Sequence, residues 1–143
     1  MERNLNKSNL IFIKTDSTLH LGSGHLERCI TLSKELKKKG MNINFICRPQ
    51  NVSMKRRIKN EGFGVKVLPN FKNSSKKFDK NIKSNNKFLL GSDWRVDAHH
   101  TIRLILKDKP KLLIVDHYGI NVNWENLVKS STGVKIMVID GWQ

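Results

Sequence analysis

The residues best suited to chemistry stand in one run, Lys14-Thr15-Asp16-Ser17-Thr18-Leu19-His20-Leu21-Gly22-Ser23-Gly24-His25-Leu26-Glu27-Arg28-Cys29. The apolar stretch Leu10 to Ile13 precedes it, and an amphipathic segment follows the glycine pair. A turn from strand to helix presents backbone N–H groups, which suit a bound anion or an anionic leaving group. His25 directly follows Gly24, and the glycines remove bulk so that a ligand can come close. A helix N-terminus disfavours imidazolium, so a neutral ring here can take a proton from water, as a general base must. The competing role for His25 is to cap or pack the helix start. Asp16 is equally suited to shaping the glycine loop or to meeting a ligand.

The turn is neither of the two common phosphate loops. A dinucleotide fingerprint needs a third glycine where Glu27 stands, and an acid near the end of the second strand where Arg48 stands. A nucleotide-hydrolysing phosphate loop needs Lys followed by Ser or Thr after its last glycine, and His25-Leu26 stand there instead. A second polar group, Asp116-His117-Tyr118, follows the aliphatic run Leu112 to Val115. Tyr118 can donate to an oxygen or line a pocket while Asp116 orients its neighbours; a plain polar turn is the alternative. His99 and His100 are adjacent on a predicted helix and project about 100° apart, and the five histidines and two cysteines show no ligand spacing, so no metal or other cofactor is expected. Trp94 and Trp124 read as packing residues.

Strands and helices alternate around these groups. Strands are expected over Asn9–Lys14, Met41–Cys47, Gly64–Leu68, Leu112–Val115 and Val134–Ile139. Helices are expected over His25–Lys39, Ser53–Asn60, Asp97–Lys107 and Trp124–Ser130, with Gly40 and Gly62 as stops. Leu26, Cys29, Ile30, Ser33 and Leu36 form the inner face of the first helix; Ala98, Ile102, Ile105 and Leu106 form that of the third. Residues 70–87, rich in Lys, Asn and Ser, read as a long loop. The alternation predicts an α/β fold, a Rossmann-like parallel sheet flanked by helices, whose ligands bind at the carboxyl ends of the strands. Both polar turns lie at that edge.

The chain of 143 residues reads as one domain, long enough to bury roughly two-thirds of its unfolded surface. Its net charge is +15, which invites nucleic acid. Yet the lysines are scattered among asparagines and aromatic residues make up only 7%, so no stacking platform is visible and nucleic acid is disfavoured as a partner. The cysteines form no CxxC pair and read as reduced thiols, and the polar N-terminus offers neither a signal peptide nor a membrane span. A cytoplasmic protein without a membrane partner is expected. Asp140 ends what reads as a central strand, with only Gly141, Trp142 and Gln143 after it, so a truncated or split chain is expected too.

The segment Asp16-Ser17-Thr18 … Gly22-Ser23-Gly24-His25-Leu26-Glu27-Arg28, with Val115-Asp116-His117-Tyr118-Gly119 and Trp124-Glu125, resembles the N-terminal half of the PseG family. These are UDP-2,4-diacetamido-2,4,6-trideoxy-β-L-altropyranose hydrolases of pseudaminic acid biosynthesis, the pathway that supplies flagellin glycosylation. The resemblance runs from about Ile13 to Asp140 and rests on a GxGHxxR turn paired with a DHY turn. It implies the N-terminal domain of a GT-B fold and hydrolysis of a UDP-sugar with inversion at the anomeric carbon, without a cofactor. On this analogy His25 is the base that activates water. Gly22, Ser23, Gly24, Asp16, Arg28, Asp116, His117 and Tyr118 contact the substrate. Two positions depart from the family pattern: Lys14 stands where the family has Arg, and Gly141 where it has a second Asp. The nucleotide-binding C-terminal domain of the family has no counterpart, so this half alone is expected to be inactive without a separate C-terminal-half chain. The alternative is the non-catalytic half of a split, glycosyltransferase-like GT-B complex.

Overall fold

The computed structural model describes residues 8–15, 24–49, 51–69, 94–117 and 119–139. The expectations for Asp16, Gly22, Ser23, Tyr118, the 70–87 loop and the chain after Ile139 lie outside these residues. Among the described residues five strands, β1 (Leu10–Thr15), β2 (Asn42–Cys47), β3 (Gly64–Val67), β4 (Leu112–Asp116) and β5 (Lys135–Val138), alternate with four helices, α1 (Gly24–Lys38), α2 (Val52–Asn60), α3 (Trp94–Asp108) and α4 (Val122–Thr132). The strands form one parallel sheet in the order β3-β2-β1-β4-β5.

Successive strand residues point to opposite faces, and both faces here are apolar, as a parallel sheet covered on both sides requires. Ile11, Ile13, Ile43, Phe45 and Ile114 pack under Leu26, Cys29 and Ile30 of α1 and Met54 and Ile58 of α2. Phe12, Ile46, Leu113 and Val115 pack against Ala98, Ile102 and Ile105 of α3 and Trp124 and Val128 of α4. The inner face expected for α1 is the one observed. On α3 the expectation for Leu106 is corrected: it is exposed, because a row of residues four apart drifts about 40° at each step, and the row Ala98–Ile102 has left the buried stripe by Leu106. The helix also starts at Trp94 rather than Asp97, and Arg95 lies over the Trp94 ring, 4.9 Å from its centroid.

In this strand order the chain leaves β1 toward β2 on one side of the sheet and reaches β4 on the other. The carboxyl ends of β1 and β4 therefore flank the topological switch point, where open α/β sheets leave a crevice for ligands. Thr15 and Asp116, the last residues of the two strands, are directly paired in register.

Candidate active site

Gly24 opens α1, so His25 stands in its first turn, with Arg28 and Cys29 three and four residues on along the same helix face. That face looks onto the end of β4. Asp116 is completely buried there and is the point on which the three side chains converge. His25 Nδ1 forms a short hydrogen bond with Asp116 Oδ1. Arg28 donates through Nε to Oδ2 at 2.5 Å and through Nη2 to Oδ1 at 2.6 Å, a two-pronged grip on the carboxylate. The Cys29 thiol donates to Oδ2 at 3.5 Å.

Burial would raise the Asp116 carboxyl, but the Arg28 guanidinium and His25 outweigh it and hold the group below the usual carboxylate range. Asp116 is therefore ionised near neutral pH and can only accept. This fixes the His25 tautomer: Nδ1 carries the proton shared with Asp116, and the basic lone pair is on Nε2. When that nitrogen takes a proton, the adjacent carboxylate stabilises the imidazolium. This is the His–Asp logic of general base catalysis. The Cys29 thiol is pushed up to about 12, by burial first and then by the Asp116 charge, so it stays protonated and serves as a donor rather than a nucleophile.

His117, one residue beyond Asp116, plays a different part. Its Nδ1 accepts the Gly119 backbone N–H at 2.9 Å, which leaves its proton on Nε2. Burial, reinforced by the Lys14 charge, pushes it down to about 3, so it is neutral throughout the physiological range. His100 is likewise pushed down to about 4 by burial and then by Arg48. Of the residues singled out from the sequence, the structure brings together His25, Arg28 and Asp116, with Gly24 opening the helix and His117 beside them. Arg28 and Asp116 are expected as substrate contacts, with Asp116 also able to orient its neighbours; in the structure Arg28 grips Asp116, and Asp116 bonds the His25 ring. The i, i+3, i+4 spacing of His25, Arg28 and Cys29 was the available signal. Their common partner 87 to 91 residues away was not visible.

A second buried polar group has no signature in the sequence motifs. On the opposite face of the sheet Asp97, fully buried, accepts hydrogen bonds from the Trp124 indole at 2.9 Å and from Arg48 Nη2 at 2.5 Å and forms an ion pair with the Lys14 ammonium at 3.3 Å. Trp124 is thus a packing residue with a polar anchor. Among the described residues no group of three or more His, Cys, Asp or Glu is placed to hold a metal ion, and no helix is long and apolar enough to cross a membrane.

No protein-family model matches the chain. A search of curated proteins finds the UDP-2,4-diacetamido-2,4,6-trideoxy-beta-L-altropyranose hydrolase of Campylobacter jejuni, 29% identical over 130 residues. The match takes in 91% of this chain but 36% of that protein, and falls in its N-terminal part. Among solved structures, the calicheamicin glycosyltransferase CalG4 superposes with a TM-score of 0.57 at 15% identity over 92% of this chain and 32% of its own. UGT73P12 of Glycyrrhiza uralensis, complexed with glycyrrhetinic acid 3-O-monoglucuronide, superposes with a TM-score of 0.60 at 11% identity over 96% and 29%. The chain spans about a third of the length of these proteins. It is similar in sequence to the N-terminal part of a UDP-sugar hydrolase, and its fold is the Rossmann-like half seen in GT-B glycosyltransferases.

Proposed function

We propose that this chain carries the general base of a UDP-sugar hydrolase. The substrate on this reading is UDP-2,4-diacetamido-2,4,6-trideoxy-β-L-altropyranose, the compound named in the curated relative. His25 Nε2 takes a proton from water as the water oxygen bonds to the anomeric carbon. The bond from that carbon to the diphosphate oxygen breaks with its electron pair on UDP. Attack opposite the leaving group inverts the centre and yields the free sugar. Asp116 holds the His25 tautomer and shields the charge it acquires, and Arg28 keeps Asp116 ionised and oriented. Gly22, Ser23 and Gly24 lie near the diphosphate on this reading, where N–H groups offset developing charge. Asp16, His117 and Tyr118 complete the sugar side. The same reading sets the reaction in cytoplasmic pseudaminic acid biosynthesis and leaves the nucleotide to a second domain or chain.

One observation carries this: the His25–Asp116 pair at the switch point between β1 and β4. The experiment is a chimera in which this chain replaces the matching segment of the C. jejuni hydrolase, assayed for UDP release from the sugar nucleotide. The chimera is expected to hydrolyse, and His25→Asn to lower kcat by about 10²- to 10⁴-fold, the usual worth of a general base. A folded His25→Asn chimera as active as its parent overturns the assignment.

A second reading, half of a two-chain GT-B glycosyltransferase, is favoured by the likeness in fold to CalG4 and UGT73P12. In such an assembly a sugar-accepting hydroxyl stands where water does in the hydrolase. UDP release without any acceptor favours the hydrolase; strict dependence on an added acceptor favours the transferase.

A further inference from the structure

Lys14 and Arg48 extend β1 and β2 on the α3 side of the sheet, in line with Phe12 and Ile46 two residues earlier. Both reach Asp97 in the first turn of α3. Arg48 also donates to the Pro69 carbonyl at 3.0 Å and to His100 Nδ1 at 3.1 Å. The Trp124 indole, in the first turn of α4, completes the group. One carboxylate therefore holds the ends of two strands and the starts of two helices. Burial would raise Asp97, yet Lys14 and Arg48 keep it below the usual range, so it is a buried anion with its partners in place. Such clusters seldom outdo well-packed apolar residues in stability, and what they can contribute is a defined arrangement.

The connection from β4 to α4 shows what is being arranged. Asp116 closes β4, His117 opens the connection, and Trp124 stands beyond it in the first turn of α4. Its first end is fixed by His25 and Arg28 through Asp116. Its last end is fixed by the Trp124 indole on Asp97 and by the Asn121 side chain, which accepts the Trp124 backbone N–H at 2.9 Å. Between them the Gly119 N–H bonds to the His117 ring and the Ile120 N–H to the His117 carbonyl at 3.3 Å. We propose that Asp97 is a positioning residue for the candidate active site: through the Trp124 indole it sets where the connection carrying His117 lies beside the His25–Asp116 pair. Its bearing on catalysis rests on the function proposed above. Its test does not, because the readout is the state of His117.

The test uses the whole 143-residue chain. In the parent, nitrogen-detected NMR should find His117 with its proton on Nε2 and neutral down to strongly acid pH. The charged groups around it are Lys14, Asp97, His25 and Asp116. Trp124→Phe removes the indole donor, keeps an aromatic ring in the core and leaves all four groups in place. The folded variant should lose the fixed tautomer and titrate at least about one pH unit higher, as an imidazole regaining solvent does. A folded Trp124→Phe whose His117 keeps its tautomer and its acid titration overturns the proposal. Hydrogen exchange of the unmodified chain gives an independent answer. The Gly119 amide and the Trp124 indole N–H should share one opening reaction, with protection factors within about tenfold of each other. A Gly119 amide that exchanges freely while the indole stays protected overturns it equally.

Discussion

A carboxylate that accepts from a histidine, an arginine and a thiol at once has its charge, position and rotamer fixed from several sides. Asp116 is in that state, and the consequence reaches His25, whose Nδ1–H must face it. His117, just past the end of β4, holds the opposite tautomer, and burial with the Lys14 charge pushes it well below the ordinary histidine value. That difference has a measurable cost in acid. An unfolded histidine takes its proton near pH 6.5, whereas folded His117 and His100 resist until about 3 and about 4. Between those values the unfolded chain binds more protons, so stability falls as pH drops below about 6.5, by up to about 1.4 kcal/mol per pH unit for each proton that only the unfolded chain takes up. Both rings are half-buried, and His100, with the smaller shift, contributes less. Below about pH 4 the depressed Asp97 and Asp116 add to the loss in the same direction. Urea unfolding between pH 7 and 4.5 should show this decline, and His117→Asn, whose side-chain oxygen can still accept the Gly119 N–H, should flatten it. A stability that is level over this range contradicts the buried, neutral assignment.

Helix ends decide where the elements stop, and two of them test the backbone account. Gly133 ends α4 at φ 73°, and Lys109 follows the last turn of α3 at φ 52°, a left-handed backbone that glycine adopts freely and lysine does not. Lys109 is exposed, so Lys109→Gly should stabilise the fold by about 0.5–1 kcal/mol, and Gly133→Ala should cost about as much. Chemical denaturation of both variants checks the signs; a destabilising Lys109→Gly contradicts the reading. The elements themselves were largely legible, because apolar periodicity and glycine stops are local signals. Each element of the described residues matches its expectation with ends shifted by a few residues at most. The Asp97 cluster was not legible as a unit: Lys14, Arg48, Asp97 and Trp124 lie on four separate elements and meet only once the sheet order is known. What could have flagged it was an acid on the apolar stripe of α3, and cations directly after the apolar runs of β1 and β2.

At the scale of the molecule, the sheet order does most to define the candidate site. With β1 in the middle and β4 beside it, a glycine turn near residue 24 and a strand end at residue 116 become neighbours. Two buried acids then stand at this edge on opposite faces of the sheet, Asp116 at the end of β4 under α1 and Asp97 in the first turn of α3. The first belongs to the proposed base and the second to the framework around it. The resemblance to a UDP-sugar hydrolase supplied a substrate class, and the His25–Asp116–Arg28 geometry supplies a reason why that chemistry suits this edge. The most direct measurement is a double-mutant cycle on UDP release by the chimera, with His25→Asn, Asp116→Asn and the pair together. If the two residues act as one base, the double variant will be about as slow as His25→Asn alone, because Asp116 has nothing left to orient. If the two losses instead multiply, Asp116 works independently of His25, and the dyad at the centre of this account is wrong.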